Sequence, residues 1–525
     1  MKKKLSFSIC LAFLLSFVFG FSVFAAASVT INSCTIQGGN VVVTATGTAA
    51  SEDGNYYLFA LQPYETAIGA RTDYCAVAPV GTGTLTTTLD LDTPSSKLYA
   101  RFEIAAKQGG KFVSVSNDFY ITNPEAVATH TIGYPAKAKK GITLDWRFAD
   151  DLTDLGCGYA LYELDMSRFY RAGGLNYTYN GKPYSFNTVV VAEFDAIAKI
   201  CQSKGVNLVV AIKNTYSPAT LDLYYPNART PGMRGYAFNT AEQGGAEKIQ
   251  ALTHFLAERY SNGGNGQIHS WIIGNEVNNN NSWHWSGNLS VTDFSNRYAT
   301  EVRMCYNAIK SVNANARVYI NLDQRWMWED GTHDQYGGKK VLDAFNAAIV
   351  STGNIDWSLS FHPHSLPLNN CKFWAVPANY RSMNLISNNA NSKMVTPSNI
   401  SVMTGYMTSP QLLNPAGAVR HIMISEMLFT SANATYATNE TVQAAAMTYG
   451  YKIMAAQPAI DAVIIHRQVD DASEIADAGM ACGIRNADGT PKQSYNAFKM
   501  MDVPGGSDQY LSVIGAGSWA SLGVQ

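Results

Sequence analysis

The sequence lacks the features that mark several large protein classes. It has no excess of either charge. Against 40 Asp and Glu stand 38 Lys and Arg, a formal net charge of −2. That balance gives no electrostatic reason to bind nucleic acid or an anionic membrane. No Cys-x-x-Cys pair occurs, so the spacing of a structural zinc site is missing. Past residue 27 no apolar run is long enough to span a bilayer. No cofactor and no metal are implied.

Even pairing of cysteines is also missing. Cys10 lies in the leader, and Cys34, Cys75, Cys157, Cys201, Cys305, Cys371 and Cys482 remain. An odd set cannot pair fully within one chain. Cys34 and Cys75 share the N-terminal region and could pair in an oxidising compartment. Cys201 and Cys305 read as buried free thiols.

What is present begins with a leader at residues 1–27. Lys2, Lys3 and Lys4 precede an apolar run at 5–24, and Ala25, Ala26 and Ala27 offer a cleavage site. The expectation is a cleaved signal peptide and a secreted or cell-surface protein, with no membrane contact afterwards. An uncleaved anchor is the alternative.

Residues 28–125 carry short runs rich in Val, Thr and Tyr at 41–46, 56–61, 84–89, 97–104 and 112–116, punctuated by Gly, Asn, Asp and Pro. The spacing predicts a small all-β sandwich. No aromatic stripe stands out, so it reads as a packing partner rather than a ligand-binding module. Residues 126–140 lose periodicity and read as a linker. From residue 141 strands and helices alternate. Strands are predicted at 141–146, 159–164, 206–212, 270–273, 317–322, 355–361, 420–425 and 462–466. Helices are predicted at 188–204, 244–260, 292–312, 339–350, 441–456 and 495–501. Eight such units predict an α/β fold, a (β/α)8 TIM barrel, over 141–503. A doubly wound sheet is the alternative, weakened because no glycine-rich phosphate loop follows the first strand. The tail at 504–525 is rich in Gly and Ser and reads as loosely docked.

Two strands lead into glutamate. Residues 268–273 run into Gly274, Asn275 and Glu276, and residues 419–425 run into Glu426. On a closed barrel the ends of strands four and seven face one cleft. Two carboxyls flanking a glycosidic bond are what its hydrolysis requires, one as acid and one as nucleophile or base. Taken singly, each glutamate is better explained as a salt-bridged loop residue; it is the pair at two strand ends that points to chemistry.

In these motifs the sequence resembles the clan A glycoside hydrolases, which share the barrel, an Asn-Glu pair ending strand four and a Glu ending strand seven. The resemblance covers the barrel only. It implies that Glu276 is the acid/base, Glu426 the nucleophile of a retaining mechanism, and Asn275 a partner of the sugar 2-hydroxyl. The chain also resembles a secreted bacterial family known as a domain of unknown function, 5722. His362 ends strand six and resembles the clan's helper near the nucleophile. His364 two residues on makes a His-x-His chelate the rival reading. Arg147 follows strand one and would keep a nucleophile ionised. Asn214, after strand three, and His466, after strand eight, are candidates for hydroxyl contacts. Where many clan members carry a Trp, this chain has His466 and Arg467. Trp283, Trp285 and Trp326 fall in upper loops as candidate sugar platforms. The leading expectation is hydrolysis of a β-linked oligo- or polysaccharide. The alternatives are a catalytically silent carbohydrate-binding protein and a metal-dependent hydrolase.

Overall fold

The computed structural model describes residues 28–135, 138–170, 174–331 and 335–524. The leader at 1–27 lies outside the described residues. Val29–Gln37, Asn40–Gly47 and Thr84–Thr88 form a three-stranded antiparallel sheet. A second sheet joins Ala76–Pro79, Asn55–Leu61, Arg101–Gln108 and Lys111–Ser114, with Phe119–Tyr120 paired to Arg101–Gln108. Ile31, Val43, Leu58 and Ile104 are buried in the core they belong to. Val29–Gln37 escapes a period-two reading because a bulge between Ile31 and Ser33 shifts its alternation.

The Cys34–Cys75 pairing does not occur. All seven cysteines of the described residues are free thiols. Burial pushes the Cys34 and Cys75 thiols above the ordinary range, and Cys75 donates to the Leu58 carbonyl at 3.3 Å. A thiol reagent added in denaturant should therefore count seven thiols if residues 1–27 have been removed and eight if Cys10 is retained. A count of five or six would mean that a disulfide forms after all.

The second region is a closed parallel barrel. Its strands in chain order are Lys140–Thr143, Tyr159–Asp165, Asn207–Lys213, Ser270–Ile273, Arg317–Asp323, Ser358–His362, Ile422–Leu428 and Ile460–His466. Closure by pairing of the eighth strand with the first excludes the doubly wound sheet. Leu161, Val209, Ile272, Tyr319 and Met423 pack together in the interior. The outer helices are Thr188–Ser203, Gln243–Arg259, Val291–Lys310, Gly338–Ser351, Glu440–Ala455 and Gln493–Met500. Their apolar faces bury residues such as Phe194, Leu252 and Val302. The first strand stops at Thr143 because Asp145 caps the turn Trp146–Phe148 by accepting from the Arg147 N–H.

Two low-complexity segments are more ordered than their composition suggests. In the stretch read as a linker, the Tyr134 ring packs on the Arg317 guanidinium at 4.3 Å and its hydroxyl accepts from the Arg317 N–H at 3.1 Å. This segment therefore lies against the starts of strands four and five. The tail is docked rather than loose. Tyr510 is buried, and Trp519 lies beside Tyr449 and under the Lys452 ammonium, both on Glu440–Ala455. The β-region also packs on the barrel. Asn307 donates to the Leu98 carbonyl at 2.8 Å, and the Tyr120 N–H donates to the Thr352 carbonyl at 2.9 Å. Among the described residues no helix is long and apolar enough to cross a membrane.

Candidate active site

The C-terminal ends of the barrel strands surround a cavity of about 690 Å³. Strand four leaves the barrel through a tight turn. Gly274 has φ 79°, and a Cβ there would meet Val277 and His284 at 2.8 and 2.9 Å. Two residues on, Glu276 itself has φ 40°, a left-handed conformation that costs a non-glycine residue about 1–3 kcal/mol. Strand five holds the turn in place. The Glu276 N–H donates to Asn321 Oδ1, and the Val277 N–H donates to the Asn321 carbonyl at 3.1 Å.

Strand seven delivers the second carboxylate by a bulge. Strict alternation from the inward Met423 would point Ser425 in and Glu426 out. Pairing with strand eight shifts register between Ile424 and Met427, and the strand continues to Leu428. Ser425 then bonds to His362 while Glu426 also lines the cavity.

Strand six supplies the groups between the carboxylates. His362 Nδ1 lies 2.9 Å from Glu276 Oε1 and 4.0 Å from Glu426 Oε2. His364 Nε2 lies 3.3 Å from Glu276 Oε1 and 3.6 Å from Glu426 Oε1. One oxygen of each glutamate and one nitrogen of each histidine lie within 4.8 Å of one another.

The tautomer of His362 follows from its neighbours. Asn321 Oδ1 accepts from the Glu276 N–H, so the other face of that amide is the donor. Asn321 Nδ2 reaches Ser360 Oγ at 2.7 Å and His362 Nε2 at 3.0 Å. His362 Nε2 therefore carries the lone pair, and Nδ1–H donates to Glu276. This polarity argues against a resident metal. An ion would have to displace the Nδ1 proton, and a ligating imidazole ordinarily donates its other N–H to an acceptor. Here His362 Nε2 meets a donor, and His364 Nδ1 is buried with no hydrogen-bond partner among the described residues. The four groups are placed for hydrogen bonding.

Glu276 is 8 % exposed. Burial alone would raise its pKa, but hydrogen bonds from His362 and His364 outweigh it and hold the carboxyl well below the usual carboxylate range. The stability this carboxylate contributes is present above the ordinary glutamate pKa. It is lost progressively as pH falls from that value towards the depressed folded one. Glu276→Gln mimics the neutral acid. Its unfolding midpoint in urea should lie below wild type at pH 7 and approach it on acidification towards pH 3; a gap independent of pH would contradict the assignment.

The remaining candidates divide. Asn275, Trp283 and His466 line the cavity. His466 Nε2 bonds Glu474 at 2.7 Å, and its Nδ1 lies 3.9 Å from Glu426 Oε2. Burial opposes a second proton on His466, but Glu426 and Glu474 outweigh it and raise its pKa. Four candidates do not reach the cavity. Arg147 is exposed and forks onto Asp145 at 2.9 and 2.5 Å, because that acid is two residues away. Asn214 is buried and donates to the Leu223 carbonyl at 3.0 Å. Trp285 pairs through its backbone with Gly235 and Ala237. Trp326 is fully buried, edge-on to Phe361 and Tyr406, with its indole N–H on the Ala390 carbonyl. Asn321 and Ser360 were not singled out from sequence. Alternation along strands five and six, from Tyr319 to Asn321 and from Ser360 to His362, is the signal that places them inward.

The model of a family of unknown function (DUF5722) matches residues 133–522. No curated protein matches the sequence. Similar solved structures include a family 39 glycoside hydrolase from the gut symbiont Bacteroides cellulosilyticus WH2, at 14% identity over 87% of this chain and 79% of that one, TM-score 0.48. A glucosidase from Croceicoccus marinus is similar at 14% identity over 71% of this chain and 67% of that one, TM-score 0.42.

Proposed function

The chain belongs to the family of unknown function DUF5722, and we propose that it is a retaining glycoside hydrolase that cleaves a β-linked glycan with Glu276 and Glu426. The observation that carries this reading is the approach of the two carboxyls. An oxygen of each lies within 4.8 Å of an oxygen of the other, at the ends of strands four and seven. Carboxyl groups about 5–5.5 Å apart suit direct attack, whereas inversion needs about 6.5–9.5 Å to admit water, and so close an approach of the nearest oxygens supports the shorter class. Glu426 attacks the anomeric carbon while Glu276 protonates the leaving oxygen. Glu276 then takes a proton from the water that releases the sugar. Asn275 stands beside the acid/base to meet the 2-hydroxyl.

The free protein holds Glu276 ionised, so the leaving-group proton has to come from a neighbour. His364 Nε2 faces both carboxylates; an imidazolium there gives its Nε2 proton to Glu276 Oε1 when a sugar fills the cavity, is left as the neutral imidazole and regains the proton from solvent. The same ionised state favours a second reading. A carboxylate clasped by two histidines suits a barrel that binds glycans without cleaving them. Turnover of a panel of β-linked oligosaccharides separates the two. Hydrolysis lost in Glu276→Gln, with binding retained, supports the enzyme; binding without turnover by the wild type supports the silent protein. The leader supports export, with residues 1–27 removed. An intact mass that still includes those residues would contradict it.

A further inference from the structure

The proposed glycosidase reading leaves the chemistry of the sugar open, and the rim of the cavity bears on it. Trp283 is the tryptophan that lines the cavity, and its ring already carries two cations. The Arg234 guanidinium lies over its ring at 5.2 Å from the centroid and the Lys213 ammonium at 5.9 Å. Lys213 is neutralised by Glu163 at 2.5 Å. Arg168, Arg325 and Arg467, the other Lys and Arg residues lining the cavity, pair with Glu193, Asp323 and Glu474. Among the described residues Arg234 alone of these five cations has no carboxylate partner.

The backbone fixes that cation in place. The N–H groups of Arg234 and Gly235 both donate to the Ser282 carbonyl, at 2.8 and 3.0 Å. At Gly235 a Cβ would lie 2.0 Å from the Trp283 carbonyl oxygen, so only glycine allows this approach. The Trp285 N–H donates to the Gly235 carbonyl at 2.9 Å, and the Tyr236 N–H donates to the Asn214 carbonyl at 2.9 Å. Asn214 and Trp285 thus hold the loop that presents Arg234. An exposed, unpaired cation contributes little to folding, so holding one at the cavity mouth is a device for something that arrives there. A planar guanidinium matches a carboxylate or a sulfate with two parallel hydrogen bonds.

We infer that the glycan is anionic, and that Arg234, held over Trp283 at the cavity mouth, reads a carboxylate or sulfate group on the sugar next to the cleaved bond. This rests on the glycosidase reading, and the test separates the two. An inactive Glu426→Gln protein is applied to an array of β-linked oligosaccharides in matched neutral, hexuronate and sulfated sets. One acidic set is expected to bind at least about 10-fold more tightly than its neutral counterpart, and which set it is identifies the anion. Adding Arg234→Ala should cost that set about 10- to 100-fold and should not weaken neutral binding, because it only uncovers the Trp283 ring. Arg234→Lys, which keeps the charge but not the fork, should recover part of the loss. Preference for neutral sugars, or an acidic preference untouched by Arg234→Ala, overturns this inference and leaves the glycosidase reading standing. Binding of no set overturns both.

Discussion

Glu426→Ala is expected to lose activity on a natural glycan by at least about 10⁴-fold, since no carboxylate then remains to form the covalent intermediate. Added azide separates the roles of the two glutamates. In Glu426→Ala azide occupies the vacated space, attacks from the nucleophile's face and yields a glycosyl azide of inverted anomeric configuration. In Glu276→Ala the intermediate still forms on Glu426. Azide then attacks that intermediate and yields a product of retained configuration. The loss in Glu276→Ala should be about 10²–10⁴-fold for a poor leaving group and much smaller for an activated aryl glycoside, which leaves without protonation. The reverse pattern of azide products would exchange the roles. That outcome has a physical basis to guard against, because Glu276 is the carboxylate held ionised by two histidines. Rescue of neither variant would favour the silent binding protein.

Asn321→Asp is expected to leave the fold intact and to cost activity by roughly 10²–10⁴-fold, the scale on which a wrong histidine tautomer acts. Asn321 accepts from the Glu276 N–H through Oδ1 and donates through Nδ2 to Ser360 and His362. Aspartate keeps the acceptor and removes the donor. Its second oxygen faces His362 Nε2 and draws the proton there, away from the Nδ1–H that bonds Glu276. Nitrogen chemical shifts of the His362 ring should show Nδ1–H in wild type and Nε2–H or imidazolium in the variant. Asn321→Ala differs, because the Glu276 N–H then loses its acceptor in a buried turn already at φ 40°. That orphaned group should cost about 1–3 kcal/mol of stability. An Asn321→Asp protein with wild-type turnover and an unchanged His362 spectrum would remove the network from the mechanism.

Much of the barrel was legible because its elements obey simple periodicities. Thr188–Ser203 presents a buried face at helical spacing. Ser270–Ile273, buried throughout, reads as an apolar run. Glu276 and Glu426 were visible because each follows such a run. The residues around them were less legible. Asn321 and Ser360 are ordinary polar residues inside strands, and it is the pairing of strands five and six that sets Asn321 beside Ser360 and His362. Arg147 and Trp326 show the opposite error. Both follow strand ends, but a local Asp145 takes the first and the loop core takes the second.

The sequence by itself determined the alternation of strands and helices, the pair of glutamates at strand ends and the lack of a charge excess, since each is a property of local order and composition. Tertiary structure decided which polar groups meet. The bulge turns Glu426 inward, the Asn321 amide sets the proton on His362, and Gly235 lets Arg234 come down on Trp283. Each of these depends on contacts between segments tens of residues or more apart in the chain. Local propensity carries no record of such contacts.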